Sequence, residues 1–93
     1  MKAIWKNTVL AESDQTKLVE DHHYFPPDAI NSDFFQQSDT HNENASLGRA
    51  SFFHITVDEQ KKEDAAWFYP HPKEAGAEIK NYVAFQNGVE IQK

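Results

Sequence analysis

The sequence predicts an all-β fold with small helical pieces, arranged as a sheet sandwich or an open barrel of about seven strands. Two observations carry this prediction. Short segments in which apolar and polar residues alternate recur along the chain, and turn-forming residues such as Pro, Asn and Asp separate them. The chain has 93 residues, which suits one hydrophobic core, and we expect residues 1–93 to form a single domain.

The N-terminal quarter of the chain is predicted to consist of short strands. Residues 2–6 and 8–13 form two strands around a tight turn, and residues 16–20 add a third strand to the same meander. Residues 22–25 form another short strand. It ends because two prolines follow, and proline cannot donate to a β-ladder.

The middle of the chain contains a polar stretch and then the most regular strand. Helical turns are expected near Ile30 and Phe34, which share one side of a helix. Residues 36–46 are rich in Ser, Asp, Thr and Asn, a composition that predicts a loop. Residues 51–58 alternate between two faces that both begin with an aromatic residue, which indicates a central strand. Residues 58–64 are mostly charged and are predicted to connect it to a further strand at residues 65–69.

The C-terminal part is predicted to hold a helix and a hairpin. Residues 73–80 carry an apolar stripe typical of one short helix. Asn87-Gly88 lies between two alternating runs, residues 82–86 and 89–92. Because an Asn-Gly pair readily adopts the positive φ angles of a type I′ turn, these two runs are predicted to form a β-hairpin.

The charge balance argues against two classes of partner. Nine Lys and Arg residues against fifteen Asp and Glu residues leave a formal charge of −6, and the basic residues are not clustered. Binding of nucleic acid or of an anionic membrane needs a concentrated basic patch, so we expect neither as a partner. No apolar run approaches the ~20 residues of a membrane span, and the N-terminus does not look like a signal peptide, so we expect a cytoplasmic protein.

The lack of cysteine narrows the available chemistry. A chain with no cysteine has no disulfide, no thiolate metal site and no cysteine nucleophile. Asp21-His22-His23 offers potential metal ligands, but adjacent side chains in a strand point to opposite faces, so we favour exposed polar residues there. We therefore expect no metal and no cofactor.

A series of short motifs occurs in an order that is typical of a known family. The motifs are Val9-Leu10-Ala11-Glu12-Ser13, Tyr24-Phe25-Pro26-Pro27, Ser38-Asp39-Thr40, Ala50-Ser51-Phe52-Phe53, Ala65-Ala66-Trp67-Phe68-Tyr69-Pro70 and Tyr82-Val83-Ala84-Phe85. Together they resemble the domain-of-unknown-function family 427 over essentially the whole chain. The resemblance implies an all-β fold similar to the Mss4-like or β-tent group. It implies no particular activity, because function belongs to sites and not to folds.

Two further features bear on this resemblance. The family is sometimes labelled nucleotidyltransferase-like, but the sequence has neither a Gly-Ser phosphate cradle nor an Asp-x-Asp pair for Mg²⁺. The family typically carries Cys-Pro-Trp-Lys before a glycine, where this chain has Asn44-Ala45-Ser46-Leu47 before Gly48. If those residues performed chemistry, this chain lacks it; if they only shape a loop or a wall, the function is retained.

Three residues are candidates for ligand binding. In the predicted strand at 65–69, Trp67 and Tyr69 share one side and Phe68 takes the other. If Phe68 packs on the core, Trp67 and Tyr69 form a wall for a planar ligand; the alternative is that both sides are buried. Arg49, the only arginine, suits a carboxylate or phosphate, with a surface ion pair as the alternative.

The polar stretch supplies candidates for catalysis. Thr40 and His41 offer a hydroxyl and an imidazole for general-base chemistry, with Glu43 to orient the ring. His41 is also a candidate ligand-binding residue. The alternative is that these side chains cap turns.

Three functions are compatible with these residues. The favoured hypothesis is a module that binds a small planar or anionic molecule. The first alternative is a cofactor-free hydrolase or transferase that uses His41. The second alternative is a structural or interaction protein, in which a hairpin at residues 82–92 pairs with another copy to form a homodimer.

Overall fold

The computed structural model describes residues 1–86 and 88–93, which fold mainly into antiparallel strands joined by short turns. The strands are β1 (Lys2–Trp5), β2 (Thr8–Glu12), β3 (Lys17–Val19), β4 (His22–Tyr24), β5 (Phe35–Asn44), β6 (Gly48–Val57), β7 (Gln60–Phe68), β8 (Val83–Phe85) and β9 (Glu90–Gln92). Short 3₁₀ helices occupy Pro27–Ala29, Ser32–Phe34 and Glu74–Ile79. The predicted all-β fold with small helical pieces is confirmed, although these residues hold nine strands where about seven were expected. A relation to the β-tent group stays a prediction.

The strands form two larger sheets and a hairpin. The strand order is β2-β1-β9 in the three-stranded sheet and β5-β6-β7-β8 in the four-stranded sheet, while β3 and β4 pair with each other. Phe25, which directly follows β4, exchanges two backbone hydrogen bonds of 2.8 Å with Val83 of β8. The β3–β4 hairpin therefore continues the four-stranded sheet beyond β8.

The main core lies between one face of the four-stranded sheet and the three-stranded sheet. Its buried members are Ala3, Leu10, Ala11, Phe25, Ile55, Val57, Ala65, Ala66, Val83, Phe85 and Val89. Phe68 packs against this cluster and stacks on Phe53, with ring centroids 4.7 Å apart. Burial of this apolar surface is the largest favourable contribution to folding.

A smaller cluster occupies the opposite face of the four-stranded sheet. Its buried members are Tyr24, Leu47, Ala50, Phe52, Tyr69, Ile79 and Ala84. Strand alternation explains the division, because Val83 and Phe85 reach the main core while Ala84 between them reaches the smaller cluster. Trp67 lies at the edge of the smaller cluster and is half-buried.

Three hairpins use two-residue turns without glycine. Both central residues have positive φ angles in each case, as a type I′ turn requires. The pairs are Lys6-Asn7, Glu20-Asp21 and Asp58-Glu59. Gly48, at the start of β6, has a φ of 111°, and this conformation favours glycine.

Four boundaries predicted from the sequence are wrong. Residues 36–46 are mostly the edge strand β5 and not a loop, because an edge strand with exposed sides has no apolar alternation to reveal it. Residues 58–64 are not a charged connection, since β7 begins at Gln60 directly after a two-residue turn. Residues 16–20 do not extend the first meander, because β3 pairs with β4.

The predicted C-terminal hairpin is the fourth error. β8 pairs with β7 in the four-stranded sheet, and β9 pairs with β1 in the three-stranded sheet. The two alternating runs therefore belong to different sheets, and Val89 between them is buried in the main core. Asn87 lies outside the described residues.

Candidate functional site

A cleft of about 340 Å³ opens over the smaller cluster, on the face of the four-stranded sheet that lies away from the main core. We call it the aromatic cleft. Its lining residues are Glu20, His22, Tyr24, Asn42, Asn44, Ala50, Phe52, Trp67, Tyr69 and Gln86. This volume is at the lower end of the range for small-molecule sites, so it suits a ligand the size of one ring or one amino acid.

Alternation along the strands brings the lining side chains together. Trp67 and Phe52 are paired across β7 and β6, and Asn42 and Ala50 are paired across β5 and β6. Paired residues project from the same face of a sheet, so these four side chains share one surface. The hairpin of β3 and β4 supplies the facing wall, because its residues His22 and Tyr24 also line the cleft.

The aromatic rings surround Trp67. The ring centroid of His22 lies 4.9 Å from that of Trp67 with an interplanar angle of 79°, and the ring of Tyr24 lies 6.5 Å away at 83°. Phe52 lies 6.3 Å from Trp67 at 46°. Tyr69 extends the group, since its ring lies 6.3 Å from that of Tyr24. These are edge-to-face and tilted contacts, which hold ring faces at different angles around a shared space.

Two tyrosines in this cleft remain neutral well above physiological pH. Burial raises the pKa of Tyr69 to about 12, and the nearby Tyr24 and Glu20 act in the same direction. Burial also raises the pKa of Tyr24, although the hydrogen bond from Trp67 opposes this change. In that bond the indole Nε1–H of Trp67 donates to the Tyr24 hydroxyl at 3.1 Å. The indole plane is thereby fixed, and both phenols keep an O–H to donate.

A carboxylate stands at the rim of the cleft. Glu20 occupies the turn between β3 and β4 with a φ of 50°, an unusual conformation for this residue type. Its Oε1 accepts a hydrogen bond of 3.0 Å from Nδ2 of Asn44. Asn44 is itself held in place, because its Oδ1 accepts the backbone N–H groups of Ser46 and Leu47 at 2.8 and 2.9 Å. The β5–β6 turn therefore positions Glu20.

A polar cluster spans the four-stranded sheet from β5 to β7. Ser38 Oγ donates to Asp64 Oδ1 at 2.6 Å, and Thr40 Oγ1 donates to Asp64 Oδ2 at 2.9 Å. The hydrogen bond from Ser38, together with that from Thr40, holds the pKa of Asp64 below its usual value. The pairing register shifts beside both groups, between Gln37 and His41 on β5 and opposite Phe53 and Ile55 on β7. The cluster links two bulges across the central strand.

His54 belongs to the same cluster. Its Nδ1 accepts the backbone N–H of Asp64 at 3.0 Å. Since that nitrogen is an acceptor, the approach of Asp64 Oδ1 to within 3.6 Å of it is not an ion pair. The ring is thus fixed with its other nitrogen as the donor, which supports the bulge.

The structure places some of the predicted site residues in the aromatic cleft and others outside it. Trp67 and Tyr69 line the aromatic cleft, and Phe68 packs on the main core. Arg49 and His41 are not among the described lining residues. Arg49 Nε lies 3.9 Å from Glu43 Oε1 on the exposed surface, where such a pair contributes little to stability. His41 Nδ1 lies 3.3 Å from the hydroxyl of Ser51.

Thr40 and His41 have different hydrogen-bond partners, since Thr40 bonds to Asp64 and His41 lies 3.3 Å from the hydroxyl of Ser51. Thr40 is linked through Asp64 of β7 to His54 of β6, because Asp64 accepts from Thr40 and donates its backbone N–H to His54. Of the pair His22-His23, only His22 lines the cleft, as opposite strand faces require. His71 is exposed.

Sequence reasoning missed seven lining residues that contribute rings or polar groups: Glu20, His22, Tyr24, Asn42, Asn44, Phe52 and Gln86. Alternation along β6 places Phe52 on the side of the strand opposite Phe53, and this alternation can be read from the sequence. Tyr24 carried no comparable signal, because its proximity to Trp67 depends on the pairing of Phe25 with Val83.

Comparison with family models gives a match over residues 1–92 to the family described as domain of unknown function DUF427. The chain belongs to this family. A search of curated proteins found no match. The DUF427 assignment confirms the resemblance found in the sequence. Of the stretch Asn44-Ala45-Ser46-Leu47, Asn44 lines the cleft and Leu47 is buried in the cluster beneath.

Two further observations concern ligands and membranes. Within residues 1–86 and 88–93, no group of three or more His, Asp and Glu side chains is arranged to hold a metal ion. In the same part of the chain, no helix has both the length and the apolar character needed to cross a membrane.

Proposed function

We propose that this DUF427 protein is a binding module whose aromatic cleft takes a small molecule with a flat or compact apolar part, either uncharged or positively charged. The observation that carries the proposal is the position of Trp67 and Tyr69 in a cleft of about 340 Å³. Concave sites with aromatic walls and a few fixed polar groups are typical of small-molecule binding.

The polar groups of the cleft support specificity. Trp67 and Asn44 are each held by hydrogen bonds, so their positions are set before a ligand arrives. Preorganisation of this kind reduces the entropy lost on binding. The neutral hydroxyls of Tyr24 and Tyr69 and the exposed amides of Asn42 and Gln86 add donors and acceptors around the rings.

The charge of the cleft argues against the anionic ligand that the sequence left open. Glu20 is a lining carboxylate, and none of the described lining residues is Lys or Arg. Arg49, the group expected to bind an anion, lies with Glu43 on the exposed surface. An anion entering the cleft would meet Glu20 without a compensating cation.

A thermal-shift screen tests the proposal. The purified protein is heated with nucleobases, aromatic amines, sugars and dicarboxylates, alongside the variants Trp67→Ala and Trp5→Ala. A ligand at about 100 times its dissociation constant stabilises the folded state by about 2.7 kcal/mol. For a chain of this length the melting temperature then rises by about 10 °C or more.

The two tryptophan variants make the comparison specific. Trp5 lies beside the main core and not in the cleft, so Trp5→Ala should retain a ligand-induced shift that Trp67→Ala loses. A folded wild-type protein that responds to no compound, or only to dicarboxylates, would contradict the proposal.

A further inference from the structure

We propose that the preferred ligand of the aromatic cleft is a small cation whose charge sits on an alkylated ammonium group. This inference rests on the proposed binding role of the cleft and adds the charge and the chemical class of the ligand. Three features support it: the angles between the rings, the Glu20 carboxylate at the rim, and the hydrogen bonds that the Tyr24 hydroxyl and the Asn44 side-chain oxygen already accept.

The rings that line the cleft lie in different planes. Trp67 stands nearly perpendicular to Tyr24, at 83°, and Phe52 is tilted by 46° from Trp67. A cation over the face of Trp, Tyr or Phe is attracted by the ring quadrupole, most strongly by Trp. Rings that meet at large angles can contact one compact group from more than one side, which suits a rounded alkylammonium better than a flat ring alone.

The carboxylate supplies the opposite charge. Asn44 holds Glu20 at the rim through a hydrogen bond of 3.0 Å. Lys and Arg are absent from the described lining, so no ammonium or guanidinium group competes for that carboxylate within the cleft. The formal charge of −6 on the whole chain further favours the approach of a cation.

Alkyl groups on the nitrogen match the remaining chemistry of the cleft. A bare ammonium is strongly hydrated and needs several acceptors to replace its water. The Tyr24 hydroxyl already accepts from Trp67, and the side-chain oxygen of Asn44 already accepts two backbone N–H groups. A quaternary ammonium needs no acceptors, and its alkyl groups pack on the rings.

The test compares choline with dimethylbutanol, its neutral isostere in which a quaternary carbon replaces the nitrogen. Both compounds give a sharp methyl signal in proton NMR, and contact with ring faces moves that signal upfield. Choline should bind the wild-type protein about fivefold to thirtyfold more tightly than dimethylbutanol. Trp67→Leu, which keeps apolar bulk without a ring face, should abolish the choline shift.

The role of Glu20 is tested by Glu20→Gln, with Glu59→Gln as the matched control. Both glutamates occupy two-residue turns with positive φ angles, and both changes remove one negative charge. Glu20→Gln should weaken choline binding about twofold to fivefold, and Glu59→Gln should leave it unchanged. Equal weakening by both variants would overturn the assignment of the carboxylate.

The outcomes separate this inference from the proposed function. If choline and dimethylbutanol bind equally, the cation preference is overturned while the cleft stands as a ligand site. If choline fails to bind but an uncharged compound of the thermal-shift screen does, the result is the same. If neither choline nor any screened compound binds the folded protein, both proposals are overturned.

Discussion

The two faces of the four-stranded sheet are built from the same strands but pack against different parts of the molecule. On one face, Ile55 and Ala66 are fully buried beneath the three-stranded sheet. On the other, Phe52 and Trp67 stand beside an open cleft under a two-stranded hairpin. The first face is closed by apolar contacts, and the second combines rings with amides, hydroxyls and a carboxylate.

This difference shows how a chain of 93 residues can hold a core and a binding surface on one sheet. The three-stranded sheet is wide enough to cover one face, whereas the β3–β4 hairpin has three residues in each strand and covers only part of the other. The uncovered part is where Trp67, a half-buried ring of the aromatic cleft, remains accessible. Stability and the proposed binding role are thus assigned to opposite faces.

The largest expected difference between the faces is in stability. Phe25→Ala in the main core should lower the free energy of unfolding by about 3–5 kcal/mol, because a fully buried ring leaves a cavity. Trp67→Ala should cost only about 1–2 kcal/mol, since Trp67 is half-buried. Urea denaturation measures both values.

Because Phe25→Ala is severe, Ile55→Val provides a milder test of the same core, with an expected loss of about 0.5–1.5 kcal/mol. Equal losses for the core and cleft aromatics would contradict the division of roles between the faces.

Alkaline pH should act on the cleft face. The folded-state pKa of Tyr69 is raised to about 12, so the unfolded chain releases this proton first as the pH rises above 10. The stabilising contribution of the neutral phenol is complete below pH 10 and is lost as the pH rises towards 12. The expected loss is roughly 2–3 kcal/mol.

Tyr69→Phe should remove most of this alkaline loss in denaturation experiments between pH 9 and 12. Tyr82→Phe is the control, because Tyr82 is not among the lining residues of the cleft. An identical pH dependence in the wild-type protein and Tyr69→Phe would show that the phenol is not buried as described.

A substitution in a turn outside both faces should change stability and leave ligand binding unchanged. Glu59 has a φ of 65° in the turn between β6 and β7, a conformation that costs a side chain about 1 kcal/mol and costs glycine almost nothing. Glu59→Gly should therefore raise the free energy of unfolding by about 0.5–1 kcal/mol. Glu63→Gly, inside strand β7, should lower it. A destabilising Glu59→Gly would refute the turn geometry.

The smallest expected effect concerns the polar cluster. The pKa of Asp64 in the folded protein lies below its ordinary value of 3.8, chiefly because Ser38 donates to the carboxylate. Its contribution to stability is present above that ordinary value and is lost as the pH falls through the folded-state pKa. Asp64→Asn should lack this part of the acid destabilisation, which is about 1 kcal/mol or less for a partly exposed group.

Asp58→Asn is the matched control for Asp64→Asn. Both aspartates have a φ of 51°, so the same substitution carries the same backbone consequence at both positions. Asp64→Asn should lose less stability on acidification than Asp58→Asn does, and parallel acid curves would argue against the cluster.

The sequence predicts a structural feature well where that feature depends only on a residue and its neighbours in the chain. Alternation placed Trp67 and Tyr69 opposite Phe68, and β6 is the central strand that its two aromatic faces indicated. These features depend on neighbours in the chain and need no knowledge of the sheets.

Features that depend on distant pairing could not be predicted in the same way. Asn87-Gly88 suggested a hairpin, but the runs on either side bury their apolar residues in different sheets. The composition of β5 does not indicate a strand, because β5 is a strand through its pairing with β6. The surroundings of Thr40 are a second example. Asp64 of β7 accepts its hydrogen bond and donates a backbone N–H to His54 of β6, although both residues lie far from Thr40 in the chain.

The most direct test of the central claim uses the two tryptophans as reporters of the two regions. Heteronuclear NMR resolves the indole N–H signals of Trp5, beside the main core, and Trp67, in the cleft. Titration with the screened compounds and choline should shift the Trp67 signal for at least one uncharged or cationic compound and leave Trp5 in place. Shifts confined to anions, equal movement of both signals, or no movement of Trp67 would contradict the claim that the aromatic cleft is the ligand site.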